Sequence, residues 1–173
     1  MESIRTRRLE LVAATVPLLD AELGSPEALG DLLGAAVPVD WPPGEHDRAA
    51  VESFRALLVG RPDAAGWCAW YAILRAPAGS VLIGTGGYMG PPDADGTVEI
   101  GYSILPAFRS RGLATELARA LVDRALSVPG AARVVAHTTR GNVGSVKVLE
   151  RCGFRVVGPG DEPGSLRYAI PAR

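Results

Sequence analysis

The stretch from Thr97 to Leu126 constrains the chain most. It opens on the apolar run Val98, Ile100, Tyr102, Ile104 and Leu105, which reads as a strand. Pro106 removes a ladder donor and marks the strand's end. A basic, glycine-containing loop follows, Arg109-Ser110-Arg111-Gly112-Leu113-Ala114-Thr115. Leu113, Leu117, Leu121 and Ala125 then recur at spacing four, the period of a helix face. Strand, basic turn and helix start form a layout suited to phosphate. Orphan N–H groups leave the first helical turn, the helix dipole favours negative charge, and Gly112 lets an anion approach the backbone. Arg109 and Arg111 add charge. Without a ligand the same stretch is simply a basic helix start.

At 173 residues the chain is sized for one domain, 1–173, and at 47% hydrophobic it has material for a proper core. A net charge of −1 argues against nonspecific nucleic-acid binding. No apolar run approaches the ~18 residues of a membrane span. Arg5, Arg7 and Arg8 are followed by no long apolar stretch, so the start does not read as a signal peptide. Cys68 and Cys152 lack metal spacing and read as two reduced thiols of a cytoplasmic protein, Cys152 as a packed one. No metal is expected.

Along the chain, Arg8 to Val12 is a strand candidate. Helices are predicted over Pro17–Leu23 with Thr15 as cap, from Pro26 to about Val37, and over Asp47–Val59. Strands are predicted over Trp67–Leu74, Val81–Met89 and Val98–Leu105, most simply as an antiparallel meander. After the helix from Gly112 to about Leu126, Arg133–Thr138 is a β-rich run. The β-α-β unit so formed implies parallel neighbours. A helix over Asn142–Arg151 and strands over Phe154–Val157 and Leu166–Ile170 complete an α/β fold with a mixed sheet.

The segment from Asn142 to Phe154 has its own logic. Asn142 is a helix cap, Val143, Val146 and Leu149 form an apolar stripe, and Gly153 stands where a left-handed C-cap belongs. A capped helix running into a strand explains most of it.

Arg109-x-x-Gly112-x-Ala114 also resembles the Gln/Arg-x-x-Gly-x-Gly/Ala loop of the GNAT superfamily of N-acetyltransferases, which holds the pyrophosphate of acetyl-CoA. Asn142, Ser145, Leu149, Gly153 and Phe154 match a second pattern of that family, about thirty residues on and in the right order. Val81-Leu82-Ile83-Gly84 and Glu99-Ile100-Gly101-Tyr102 look like the family's third and fourth strands. Arg7-Arg8-Leu9-Glu10-Leu11 looks like the first strand of the branch that acetylates protein N-termini, including those of ribosomal proteins. The resemblance implies a sheet of about six to seven strands, splayed near Leu105 and Ala136, with helices on both faces. It implies acetyl-CoA as co-substrate and a primary amine as acceptor, either a small molecule or a protein N-terminus. A homodimer is compatible with it. One departure stands out: many members carry a tyrosine at the Leu149 position to protonate the departing thiolate. In the N-terminal-acetylating branch a hydroxyl at the Ser145 position takes that task; Tyr168 is a weaker candidate.

Acetyl transfer needs an aligned donor, a deprotonated amine, a donor for the oxyanion and a proton for sulfur. The strand edge Ser103-Ile104-Leu105 is the expected partner for pantetheine amides, with an N–H near Ile104 polarising the thioester. Glu99, on the same strand, is the candidate general base, directly or through water; its alternative is a solvated carboxylate that only attracts a cation. His137 is another possible base, but a lone histidine in an apolar strand is more often structural and it is left out of the site; His46 reads as a residue of the acceptor side. The acceptor is expected between the N-terminal helices and the loop Gly158–Ser165, where Asp40, Glu45 and Asp47 would suit a cationic amine. Two rivals are a nucleotide enzyme and a non-catalytic acyl-CoA-binding module. The glycine-rich Gly84–Gly90 run suggests the first but leads into a loop rather than a helix. The absence of tyrosine at position 149 keeps the second open.

Overall fold

Three sequential strands pair as the meander requires. In the computed structural model, which describes residues 2–44 and 46–171, they are β3 (Ala69–Leu74), β4 (Val81–Tyr88) and β5 (Thr97–Ile104). Before them stand β1 (Ser3–Arg5), β2 (Leu9–Ala13), α1 (Val16–Gly24), α2 (Pro26–Leu33) and α3 (Arg48–Gly60). After them come α4 (Leu113–Ser127), β6 (Arg133–Thr139), α5 (Val143–Cys152), β7 (Arg155–Pro159) and β8 (Ser165–Pro171). The strands form one eight-stranded sheet in the order β1-β2-β3-β4-β5-β6-β8-β7. Only β5 and β6, the ends of the β-α-β crossover, are parallel.

Eight strands slightly exceed the six to seven expected, and the sequence places seven of them along the chain. The extra strand is β1, three residues at the sheet's edge with one apolar side chain, too short to show a period. A second correction concerns α2, expected to reach about Val37. It stops at Leu33, where Gly34 takes a left-handed conformation with φ +62°. The chain then runs extended, Ala36 N–H donating to Ser80 O and Leu82 N–H to Ala36 O.

Helix starts follow local chemistry. Thr15, Ser25, Asp47 and Asn142 each accept an N–H three residues on, so all four helices begin on a satisfied side-chain cap. Alternation along the strands divides the interior. Trp70, Ala72, Val98, Ile100 and Ile104 pack with Leu113, Leu117 and Leu121 of α4 on one face. Tyr71, Ile73 and Leu82 pack with α1, α2 and α3 on the other. Helices therefore cover both faces, as expected. The glycines that suggested a nucleotide motif serve packing. A Cβ at Gly86 would stand 2.9 Å from Leu121 Cδ1, so glycine there lets α4 lie close to the sheet.

The parallel ladder is short. It pairs Thr97 with Arg133, Val98 with Val134 and Glu99 with Val135, and no further. Beyond that point β5 continues along β4 and β6 continues along β8. The sheet thus forks, with the gap opening at Ile100 on β5 and Ala136 on β6.

Candidate active site

The fork leaves main-chain groups free. Met89 N–H donates to Glu99 O and Leu105 N–H to Ile83 O, so the odd-numbered residues of β5 turn their backbone toward β4. In an antiparallel ladder the next residues turn the other way, so the backbone of Tyr102 and Ile104 faces the gap. The Ile104 carbonyl accepts the Arg109 Nε–H at 2.9 Å, which ties the basic loop to the strand end. Leu105 is fully buried, and both its N–H and its carbonyl are used within the protein.

Just past the strand the loop gathers unpaired amides into a cradle of the kind an anion would fit. Ser110, at φ +61°, and Gly112, at φ +74°, are both left-handed, and alternation of this kind turns successive amides toward one side. Among the described residues the N–H groups of Ser110, Arg111, Gly112, Leu113, Ala114 and Thr115 have no protein acceptor. Thr115 Oγ1 is buried and also without a partner. The Arg111 guanidinium lies over the Phe108 ring. Arg8 reaches across from the β1–β2 turn, its Nη1 donating to Arg111 O at 2.9 Å and its Nε to Glu116 Oε2 at 2.7 Å. Glu116 also accepts Thr6 Oγ1 and the Arg8 N–H. Burial by itself would raise the Glu116 carboxyl, but these donors outweigh it and hold it at about 2.

On the α1–α3 face of the fork, Glu99 meets His137, with Nδ1 at 2.8 Å from Oε1. An ionised carboxylate only accepts, so the ring's Nδ1 carries the proton. His137 Nε2 is buried without a hydrogen-bond partner and lies 3.8 Å from Asp161 Oδ2, in the β7–β8 loop. Glu99 keeps 34% of its side chain exposed, so a second carboxylate oxygen remains available to a substrate. Donor atoms of the three residues fall within 4.8 Å of one another, a spacing a metal ion also tolerates. The 2.8 Å Glu99–His137 bond already uses Nδ1, and the arrangement is that of a carboxylate held by an imidazole.

On the α4–α5 face, the Tyr102 hydroxyl donates to the Ser145 carbonyl at 3.3 Å and lies 3.1 Å from Ser145 Oγ. Burial pushes this phenol up to about 12, partly countered by the serine. Asn142 spends its Oδ1 on the Ser145 N–H.

The forked sheet carries an imidazole-held carboxylate on one face and a loop of unpaired amides beyond its end. A family model described as an acetyltransferase (GNAT) domain matches residues 24–155. The chain is also 31% identical over 154 residues to YjdG of Bacillus subtilis strain 168, an uncharacterized N-acetyltransferase, covering 89% of this chain and 90% of the relative. The chain belongs to the GNAT acetyltransferase family. Solved structures share its fold. A GNAT-family acetyltransferase from Bacillus anthracis superposes with a TM-score of 0.67 at 20% identity, covering 99% of each chain. RimL, a ribosomal L7/L12 alpha-N-protein acetyltransferase in complex with coenzyme A, superposes with a TM-score of 0.65 at 21% identity, covering 98% of each. Members of the family use acetyl-CoA.

For this GNAT acetyltransferase the fork unites most residues predicted from sequence. Glu99 and Ser103 stand on one face of β5, Ile104 edges the gap, and Arg109 to Thr115 form the cradle. Leu149 is fully buried in the main core, and Tyr168 is buried in it too, on β8 beyond β6. His46 does not face the fork. It is buried and bonds Glu22, whose carboxylate also accepts Trp41 Nε1–H at 2.8 Å and Tyr71 O–H at 2.6 Å. That cluster holds the loop before α3, whose Gly44 lies against Ser103; a Cβ there would stand 2.7 Å from Ser103 Oγ. Asp47 caps α3, Asp40 is exposed, and Glu45 lies outside the described residues. Cys152 is partly buried with its thiol pushed up to about 11 by desolvation, as suits a packed cysteine. Sequence reasoning set His137 aside and gave no role to Tyr102, Arg8 or Asp161. The one local signal was a histidine on an otherwise apolar strand.

Proposed function

We propose that the chain transfers the acetyl group of acetyl-CoA to a primary amine, on a protein N-terminus or a small molecule, by direct attack. The observation that carries this reading is the end of the β5–β6 ladder at Glu99, which sets a partly exposed, imidazole-held carboxylate at the mouth of the fork. Acetyl-CoA lies with its pyrophosphate over Arg109–Thr115, where unpaired amides, the left-handed Gly112 and the orphaned Thr115 hydroxyl suit phosphate oxygens. Its pantetheine amides pair with the free backbone of β5 at Tyr102 and Ile104, whereas the Ser103 and Leu105 main chain is turned to β4 and only flanks the gap, with Asn142 and Ser145 on the opposite wall. The Ile104 N–H faces the gap and polarises the thioester carbonyl.

The acceptor approaches from the Glu99 face, between the Gly44 loop and the β7–β8 loop. Gly160 of the latter packs on the ring of His137, and the side chain of Asp161 is exposed beside it. Two carboxylates there favour an ammonium, which must lose a proton before attack. Glu99 accepts that proton, directly or through water, and His137 fixes its orientation. Ser145 stands on the side of the leaving sulfur.

The test is release of free thiol from acetyl-CoA with a panel of peptides and small amines, with acetylated product read by mass. Turnover on at least one amine, lost in Glu99→Gln, is the expected result. Acetyl-CoA binding without turnover across a broad panel overturns the reading in favour of a binding module.

A further inference from the structure

The proposed reaction needs a donor for the leaving sulfur, and Leu149 has no proton to give. Ser145 is a weak candidate alone, since a helical serine commonly bonds its own backbone. Here Ser145 Oγ makes no such bond among the described residues; its partner is the Tyr102 hydroxyl, 43 positions earlier in the chain. Tyr102 stands on β5 three residues after Glu99, so alternation sends the two side chains to opposite faces of the fork. Glu99 faces His137, and Tyr102 faces α5. The Tyr102 backbone borders the gap, and its ring is packed against the main core, which fixes the hydroxyl's position.

We propose that Tyr102 is the catalytic group that meets the leaving sulfur, with Ser145 as the residue that positions its hydroxyl. The inference rests on the acetyl-transfer reading above. The amine nitrogen bonds to the acetyl carbon, and its proton passes to Glu99. The C–S bond breaks with its electron pair going to sulfur. The Tyr102 O–H turns from the Ser145 carbonyl to donate a hydrogen bond to that sulfur, and the thiolate takes its proton from water as Glu99 returns one to the solvent. A phenol held at about 12 stays protonated over any practical assay range, so the donor is present at every working pH.

The test is Tyr102→Phe, which keeps the ring and removes the hydroxyl, beside Ser145→Ala. Tyr102→Phe is expected to lower kcat by ~10²–10⁴-fold with little change in the KM for acetyl-CoA, and Ser145→Ala by less. A second readout needs no turnover. Wild type should bind CoA about two- to tenfold more tightly than desulfo-CoA through the hydroxyl–sulfur hydrogen bond, and Tyr102→Phe should bind the two alike. Wild-type kcat in Tyr102→Phe, or an unchanged CoA to desulfo-CoA ratio, overturns the proposal. A variant that weakens both ligands equally assigns Tyr102 a structural role and overturns it too. If the wild type acetylates no amine, the proposed function fails, while the binding ratio still decides what Tyr102 does.

Discussion

Glu116→Gln probes the junction that holds the anion cradle. Glu116 lies in the first turn of α4 and accepts from Thr6 Oγ1 at 2.6 Å, the Arg8 N–H at 2.7 Å and Arg8 Nε at 2.7 Å. Its carboxyl sits at about 2 against an ordinary 4.5. At ~1.4 kcal/mol per pH unit that difference corresponds to roughly 3 kcal/mol of stability. The Arg8 side chain is a third exposed, so solvent screening trims the figure to about 1–2 kcal/mol. Because the folded value is depressed, this stability is fully present above 4.5 and is lost as pH falls toward 2. Glu116→Gln should therefore be about 1–2 kcal/mol less stable than wild type at pH 7, by urea unfolding followed by tryptophan fluorescence. The gap should shrink by roughly half or more at pH 3, where the unfolded glutamate is already protonated. Equal stability at pH 7, or a gap of the same size at pH 3, would refute the reasoning. Arg8 also donates to Arg111 O, so the same variant should loosen the loop and raise the acetyl-CoA KM.

Glu99→Gln should lower kcat by ~10²–10⁴-fold with acetyl-CoA affinity nearly unchanged and flatten the acidic limb of the pH–rate profile; full activity would make Glu99 a strand carboxylate only. Gly112 sits at φ +74°, so Gly112→Ala carries only backbone strain, whereas Gly112→Asp also sets a negative charge in the cradle. Calorimetric titration should show acetyl-CoA affinity falling at least about tenfold further in the aspartate variant, and equal affinities would move the pyrophosphate elsewhere. Glu22→Gln removes the charge that Trp41, His46 and Tyr71 surround, and should cost about 2–4 kcal/mol in urea unfolding; a cost below about 0.5 kcal/mol would deny the cluster its anchoring role.

Much of the fold was legible because its signals are local. Caps at Thr15, Asp47 and Asn142 act within three residues, and Gly153 ends α5 through its own φ of +93°. The strand–loop–helix layout around Gly112 was equally readable, since proline, two arginines and a glycine between a strand and a helix are neighbours in sequence. The end of α2 was not. Helix periodicity carries past Leu33, and what stops the helix is a left-handed Gly34 followed by pairing of Ala36 with the start of β4. The β1 strand escaped because three residues with a single apolar side chain hold no period, and only β2 pairs with them.

By itself the sequence determined most of the strands and helices, the basic loop at the start of α4, and the carboxylate on the strand that leads into it. Tertiary structure alone decided the partners. Glu99 and His137 stand 38 positions apart, and they meet because the parallel ladder pairs Glu99 with Val135. A slip of one residue would turn His137 toward α4 and leave Glu99 without its imidazole. Tyr102 and Ser145 come together only once α5 packs beside the fork, and His46, which reads as an acceptor-side residue, is drawn inward by Glu22. Helix and strand formation depend on backbone preferences and periods within a few residues. Side-chain pairing depends on strand register and on which helix covers which face, and those are settled only when the whole sheet closes its two cores.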